Sequence, residues 1–156
     1  MDSLPDRGPM MRLSSSIEID APPEKLWELM CDPSNYPELD ESTDRMVEVP
    51  DGEFGVGSVY REYGGIAPFK GESEWTVVEF DPMRRQVHDG TDGYVDLHLV
   101  VDLTETGDGK TRVDQSLDIR GPWYMAPINA VLMMQLRGQR AMDRSMVKVK
   151  RLVEGR

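Results

Sequence analysis

Apolar and polar positions alternate along most of this chain, and the alternation changes period at recognisable places. From Leu13 the order Leu-Ser-Ser-Ser-Ile-Glu-Ile-Asp puts Ile17 and Ile19 two apart, which predicts a strand. Asp20-Ala21-Pro22-Pro23-Glu24 predicts a helix start, with Asp20 or Ala21 at the cap and the prolines in the first turn, where a missing N–H costs nothing. Leu26, Trp27, Leu29 and Met30 then follow a helical spacing, and Asp32-Pro33 stops it. Residues 33 to 39 have room for one more helical turn.

Period two then returns in runs separated by Gly, Pro and Asp. Strands are predicted at 45 to 49, 57 to 63, 71 to 80, 85 to 88, 94 to 103 and 112 to 120. The last two alternate most cleanly. Val95, Leu97, Leu99, Val101 and Leu103 share one face, and Val113, Gln115, Leu117 and Ile119 share another. Gly107-Asp108-Gly109-Lys110 between them suits a tight turn. Short loops imply antiparallel neighbours, and one apolar face against one charged face implies a sheet with one wet side. From about Trp123 to Glu154 the period is helical, with Ile128, Leu132, Gln135, Gln139, Met142, Met146, Val149 and Val153 on one stripe. That helix is the one element long enough to cover the sheet, so the expected fold class is α+β in two layers. Residues 1 to 11 carry two prolines and no pattern, and are expected to be a flexible tail before a domain at 12 to 155.

The order of elements resembles the START/Bet v 1-like superfamily, of the polyketide cyclase/dehydratase and lipid transport type. The residues that carry the likeness are 17 to 29 (Ile-Glu-Ile-Asp-Ala-Pro-Pro-Glu-Lys-Leu-Trp-Glu-Leu), Asp32-Pro33 with Tyr36-Pro37, and Gly57 to Arg61. Trp75 to Arg85 and Gly109 to Val113 complete it. The resemblance implies a helix-grip fold: a curved seven-stranded antiparallel sheet around a long C-terminal helix, with two short helices after the first strand. It also implies a hydrophobic cavity between sheet and helix. The fold serves carriers and enzymes alike, so function has to come from the site.

Charge narrows the partners. The net charge is -11, but residues 123 to 156 hold seven basic and two acidic groups, which leaves -16 on the rest. Such an acidic chain is not expected to follow a phosphate backbone, and no run is long and apolar enough for stable membrane insertion. Any anionic partner is to be sought on the helix. One cysteine, Cys31, excludes an internal disulfide, and two histidines with no clustered ligands argue against a metal site. A cytoplasmic protein without a cofactor is the expectation.

The candidate chemistry is sparse. Glu72 and Glu74 lie opposite Trp75 on their strand and are expected in solvent, as is His98; the face of His88 is open. Tyr60 and Glu62 share a parity, so both face the cavity or both lie outside it. If inside, Glu62 would be desolvated with a raised pKa, and Tyr60, Glu62 or His88 could move a proton. Gln115, Gln135 and Gln139 stand on otherwise apolar faces, where buried amides need partners such as a ligand's polar end or water. The expected ligand-binding set is therefore Tyr60, Glu62, Trp75, Leu97, Leu99, Gln115, Leu117, Leu132, Gln135, Gln139 and Met142. Trp123, Tyr124 and Met125 serve as a gate or as a plain anchor. Three functions stay open: binding of a small hydrophobic molecule, a cyclase or dehydratase-like reaction in the same cavity, or docking of a partner through the basic helix face.

Overall fold

The computed structural model describes residues 10 to 155, apart from the side chains of Trp123 and Tyr124. The chain forms β1 (Met10–Ile19), α1 (Pro23–Met30), a tight helical turn (Pro33–Asn35) running into α2 (Tyr36–Leu39), and β2 (Thr43–Glu48). It continues through β3 (Val59–Ile66), β4 (Phe69–Asp81), β5 (Arg85–Thr91), β6 (Asp96–Gly107) and β7 (Lys110–Arg120). A second tight turn (Pro122–Met125) leads into α3 (Ile128–Glu154). The seven strands make one curved antiparallel sheet in the order β1-β7-β6-β5-β4-β3-β2, gripping α3.

Several boundaries differ from the sequence reading, each for a local reason. Met10 and Met11 pair with Arg120 and Ile119, so two residues assigned to the tail belong to β1; residues 1 to 9 lie outside the described residues. The first helix is capped by Pro22, with no side-chain cap bond. α3 starts at Ile128 rather than near Trp123, because Pro127 holds an extended backbone at its N-cap (φ -55°, ψ 144°). It ends at Gly155 in the left-handed region (φ 73°). β5 runs on past His88 because Gly90 pairs with Trp75 on one side and Leu97 on the other. β6 begins only at Asp96, since Asp92 accepts from the backbone N–H of Tyr94 and Val95 and bends the chain there.

The packed core lies at one end of the sheet. Ile19, Ala21, Leu26, Trp27, Leu103, Val113, Met146 and Val153 form it, with Phe80 tilted on Trp27 at 5.0 Å between ring centroids. α3 enters this core with its C-terminal half. Its buried positions are Gly138, Met142, Ser145, Met146 and Val153, whereas Ile128 and Leu132 are 75% and 57% exposed. The predicted stripe is thus rotated towards the small residues. At Gly138 a Cβ would stand 2.8 Å from Leu13 Cδ1, so the missing side chain sets how closely the helix crosses β1.

The other side of α3 is tied to the free edge of β1. Gln139 accepts from Ser14 N–H (3.3 Å) and donates to Ser14 O (2.6 Å), as a neighbouring strand would. Gln135 donates to Arg12 O, Ser15 to Asp143, Lys150 to Glu18 O, and Asp20 N–H to Glu154. An edge strand otherwise presents unpaired backbone groups, and here helix side chains take them up.

Candidate functional site

Strand pairing places the candidate residues on one concave surface. One row across the sheet reads Tyr60, Trp75, Gly90, Leu97, Ile119 and Met11; the next reads Val77, His88, Leu99, Leu117 and Leu13. Glu62 stands two residues along β3 from Tyr60, opposite Ser73, on the same surface. Tyr60 and Glu62 therefore face inwards together, and His88 joins them. His98 pairs with Asp89 and Asp118 on the outer face, and Glu72 and Glu74 are exposed.

The β3 to β5 end of this surface is a buried polar and aromatic cluster. Tyr60 and His88 are each 3% exposed and Gln86 is fully buried. Tyr60 Oη lies 2.6 Å from His88 Nδ1, His88 Nε2 lies 2.9 Å from Gln86 Oε1, and Gln86 Nε2 lies 3.6 Å from Cys31 Sγ. A carbonyl oxygen only accepts, so His88 donates from Nε2 and Tyr60 donates to the bare Nδ1. Burial holds the imidazole neutral, with its pKa lowered to about 4. The Tyr60 hydroxyl is pushed well up by burial, then by neighbouring Tyr36 and Glu62.

Aromatic rings frame the cluster. Trp75 stacks on Tyr60 at 6.3 Å with 7° between planes, and Tyr36 meets Tyr60 edge-on at 5.2 Å. Trp75 reaches this position because position 90 has no side chain: a Cβ there would stand 2.5 Å from Trp75 Cδ2. Glu62 accepts from the Thr43 hydroxyl at 3.0 Å. Its carboxyl is pushed up from 4.5 to about 7, mainly by burial and further by Asp40, against hydrogen bonds from Thr43 and Trp75. Asp40 is itself held by Ser42 and by Ser145 of α3. The concave end thus holds a carboxyl group poised between its two forms near neutral pH, beside a phenol hydrogen-bonded to a neutral imidazole.

The β6 to β7 end is different. Leu97, Leu99, Leu117 and Ile119 face inwards but are only half-buried, and Gln115 shares their face and their partial exposure. None of the four belongs to the packed core. Their partial exposure leaves the concave face incompletely covered here. Met142 is buried on α3, while Leu132 is exposed. The sequence reading aimed Gln135 and Gln139 at the ligand space; the structure turns both amides onto β1.

Tyr36, Asp40, Thr43 and Gln86 complete the cluster and were not singled out from the sequence. Gln86 carries a usable signal, because it shares a parity with His88. Tyr36 and Asp40 sit in a stretch without periodicity. A separate cleft of about 780 Å3 lies between the start of α1 and the β4–β5 turn. Its lining, with Glu24, Asp81, Arg84, Arg85 and Arg112, is charged and includes none of the predicted site residues. Among the described residues no three His, Cys, Asp or Glu side chains gather as a metal site. Among the described residues no helix is long and apolar enough to cross a membrane.

Sheet, helix and concave face together define a helix-grip protein of the START/Bet v 1 type. Residues 10–154 match the family described as polyketide cyclase / dehydrase and lipid transport, and the chain belongs to that family. A search of curated proteins finds no match. Among solved structures, the Zhui aromatase/cyclase from a Streptomyces species is similar at 16% identity and a TM-score of 0.67, over 94% of this chain and 92% of that one. A START superfamily protein from Mycobacterium smegmatis is similar at 14% identity and TM-score 0.69, over 92% and 97%. Norcoclaurine synthase from Thalictrum flavum is similar at 16% and 0.66, over 94% and 88%. At these identities the likeness concerns the fold.

Proposed function

We propose that the protein binds a small, mostly apolar molecule of the polyketide, lipid or isoprenoid kind on the concave face. Its body lies against Leu97, Leu99, Leu117 and Ile119, and its polar end turns towards Gln115 or the Tyr60 and Glu62 cluster. One observation carries this reading: four large aliphatic side chains point into the grip of sheet and helix yet stay partly exposed, outside the packed core. Apolar surface of that kind, bordered by a few polar groups, is what a ligand site offers. Titration with lipids, quinones and aromatic polyketides, followed by tryptophan emission and thermal shift, tests it. A ligand should bind, and Leu117→Asp should weaken it at least tenfold without loss of the fold. Failure of every ligand class, or indifference to Leu117→Asp, refutes the reading.

A second reading rests on Glu62. A carboxyl titrating at about 7 beside Tyr60 suits proton transfer in a cyclase-like reaction of a bound chain. General acid–base catalysis is worth about 100-fold or more, so Glu62→Gln should cost turnover of an identified substrate by at least that factor. Unchanged turnover removes this role.

A further inference from the structure

The geometry points to a peripheral docking surface for an anionic lipid bilayer on the N-terminal half of α3, formed by Ile128, Leu132 and Leu136 with Met125 and flanked by Arg137, Arg140 and Arg144. Ile128, Leu132 and Leu136 on α3 are 75%, 57% and 59% exposed, and Met125 in the turn before the helix is 76% exposed. Ile128, Leu132 and Leu136 are four apart, so they form a ridge along roughly 12 Å of helix. At 100° per residue Arg140, Arg144 and Arg137 lie next around the helix, so one exposed surface is part apolar and part basic.

The charges there are available. Arg140 has no ion pair with a described residue. Arg144 approaches Glu41 only at 3.9 Å, with 69% of its side chain exposed, and Arg137 donates to a neutral carbonyl, that of Ala67, which leaves its charge uncompensated. A bilayer fits better than a second copy or a partner protein. Paired ridges of two copies would bring their flanking arginines within one Debye length, about 8 Å. Insertion of long aliphatic side chains beside basic groups is the pattern of interfacial helices. The acidic outer sheet face does not prevent this, because the helix, roughly 10 Å across, holds it beyond that same screening length; on the helix side Asp143 is taken up by Ser15 and Gln139, and Glu41 faces Arg144.

Sedimentation with vesicles of phosphatidylcholine alone, and of phosphatidylcholine with about a third phosphatidylglycerol, tests the proposal. At about 0.1 M salt the chain should partition at least tenfold better onto the anionic vesicles, and about 0.5 M salt should erase most of that gain. Ile128→Asp with Leu136→Asp should lower partition at least tenfold; Arg140→Glu with Arg144→Glu should remove the preference for anionic lipid. All four side chains are on the surface, so thermal melts should match the parent chain. Equal partition onto both vesicle types, or parent-like binding by both double variants, overturns the proposal. So does capture by soluble polyglutamate with no vesicle binding, the result expected of an acidic protein partner. The ligand titration on the concave face uses neither vesicles nor these residues, so the two readings fail independently.

Discussion

Replacing Glu62 by Gln should stabilise the protein, and by an amount that depends on pH. In the unfolded chain the carboxyl titrates near 4.5; in the fold it keeps its proton up to about 7. Between those values the folded state holds more protons than the unfolded one, so stability falls as pH rises. Below the lower value both states are protonated and the effect vanishes. Above about 7 the full penalty applies, which for this displacement is about 3 kcal/mol at pH 8 and under about 1 kcal/mol at pH 5. Glutamine matches the shape of the protonated form, and its carbonyl oxygen can still accept from Thr43 at the position Glu62 Oε2 holds.

Thermal unfolding of both proteins between pH 5 and 8 reads this directly. For a domain of this size about 1 kcal/mol moves the midpoint by roughly 2–4 °C, so the variant should melt about 6–12 °C higher at pH 8 and within about 4 °C at pH 5. Because only the difference between two chains is used, the other acidic groups largely cancel. His88 works in the opposite direction: its depressed pKa costs stability as pH falls below its usual 6.5 towards about 4, and this too is common to both proteins. A midpoint difference that is the same at pH 5 and pH 8, or a variant less stable at pH 8, refutes the assignment of a buried, proton-holding carboxyl. If the difference appears, Glu62 lowers stability at a position where a near-isosteric residue would not, which is the signature of a group kept for use.

Two further substitutions test the frame around it. Gly90→Ala drives a methyl group to 2.5 Å from the Trp75 indole. The ring is held between Gly90 and Tyr60, so relief requires moving the stack; a loss of about 1–3 kcal/mol with a shift in tryptophan emission is expected, and unchanged emission would refute the packing. Gln139→Ala should cost only about 0.5–1.5 kcal/mol, because water can replace the amide, but it should speed hydrogen exchange at Ser14. Unaltered exchange there would mean that the glutamine does not shield the edge strand.

Much of this architecture was legible in the chain because period two and period 3.6 are physical consequences of sheet and helix. The clean alternation of β6 and β7 set the correct inward faces, including Leu97, Leu99, Gln115 and Leu117, and the shared parity of Tyr60 and Glu62 tied their fates together. What alternation could not supply was the sign of that parity, since Val59 and Tyr63 could form an inner face as well as Tyr60 can. It is set by Trp75, which pairs with Tyr60 and leans on Gly90. Tyr36, Asp40 and Thr43 were invisible for a different reason: they come from short elements whose contacts to β3 are long-range and leave no local pattern. The helix stripe failed where hydrophobicity was the wrong guide. Gly138 and Ser145 are buried because they are small, and Ile128 and Leu132 are exposed although they are large.

That failure explains why the concave face is open. A rotation of α3 that turned Ile128, Leu132, Gln135 and Gln139 inwards would cover Leu97, Leu99, Leu117 and Ile119 and bury the exposed ridge. It would also withdraw the amides of Gln135 and Gln139 from Arg12 and Ser14, and shift Asp143, Lys150 and Glu154 away from Ser15, Glu18 and Asp20. Four of those bonds, to Arg12, Ser14 (two) and Glu18, satisfy the backbone of β1, which has β7 on one side only. The close crossing at Leu13 would be lost as well, because only Gly138 permits it. The helix therefore answers to the polar demands of an edge strand before the apolar demands of its own first turns. Apolar surface is left uncovered both inside the grip and on the outer ridge. The partly exposed leucines and the exposed isoleucine are two results of one constraint, and a ligand and a lipid surface are the partners proposed for each.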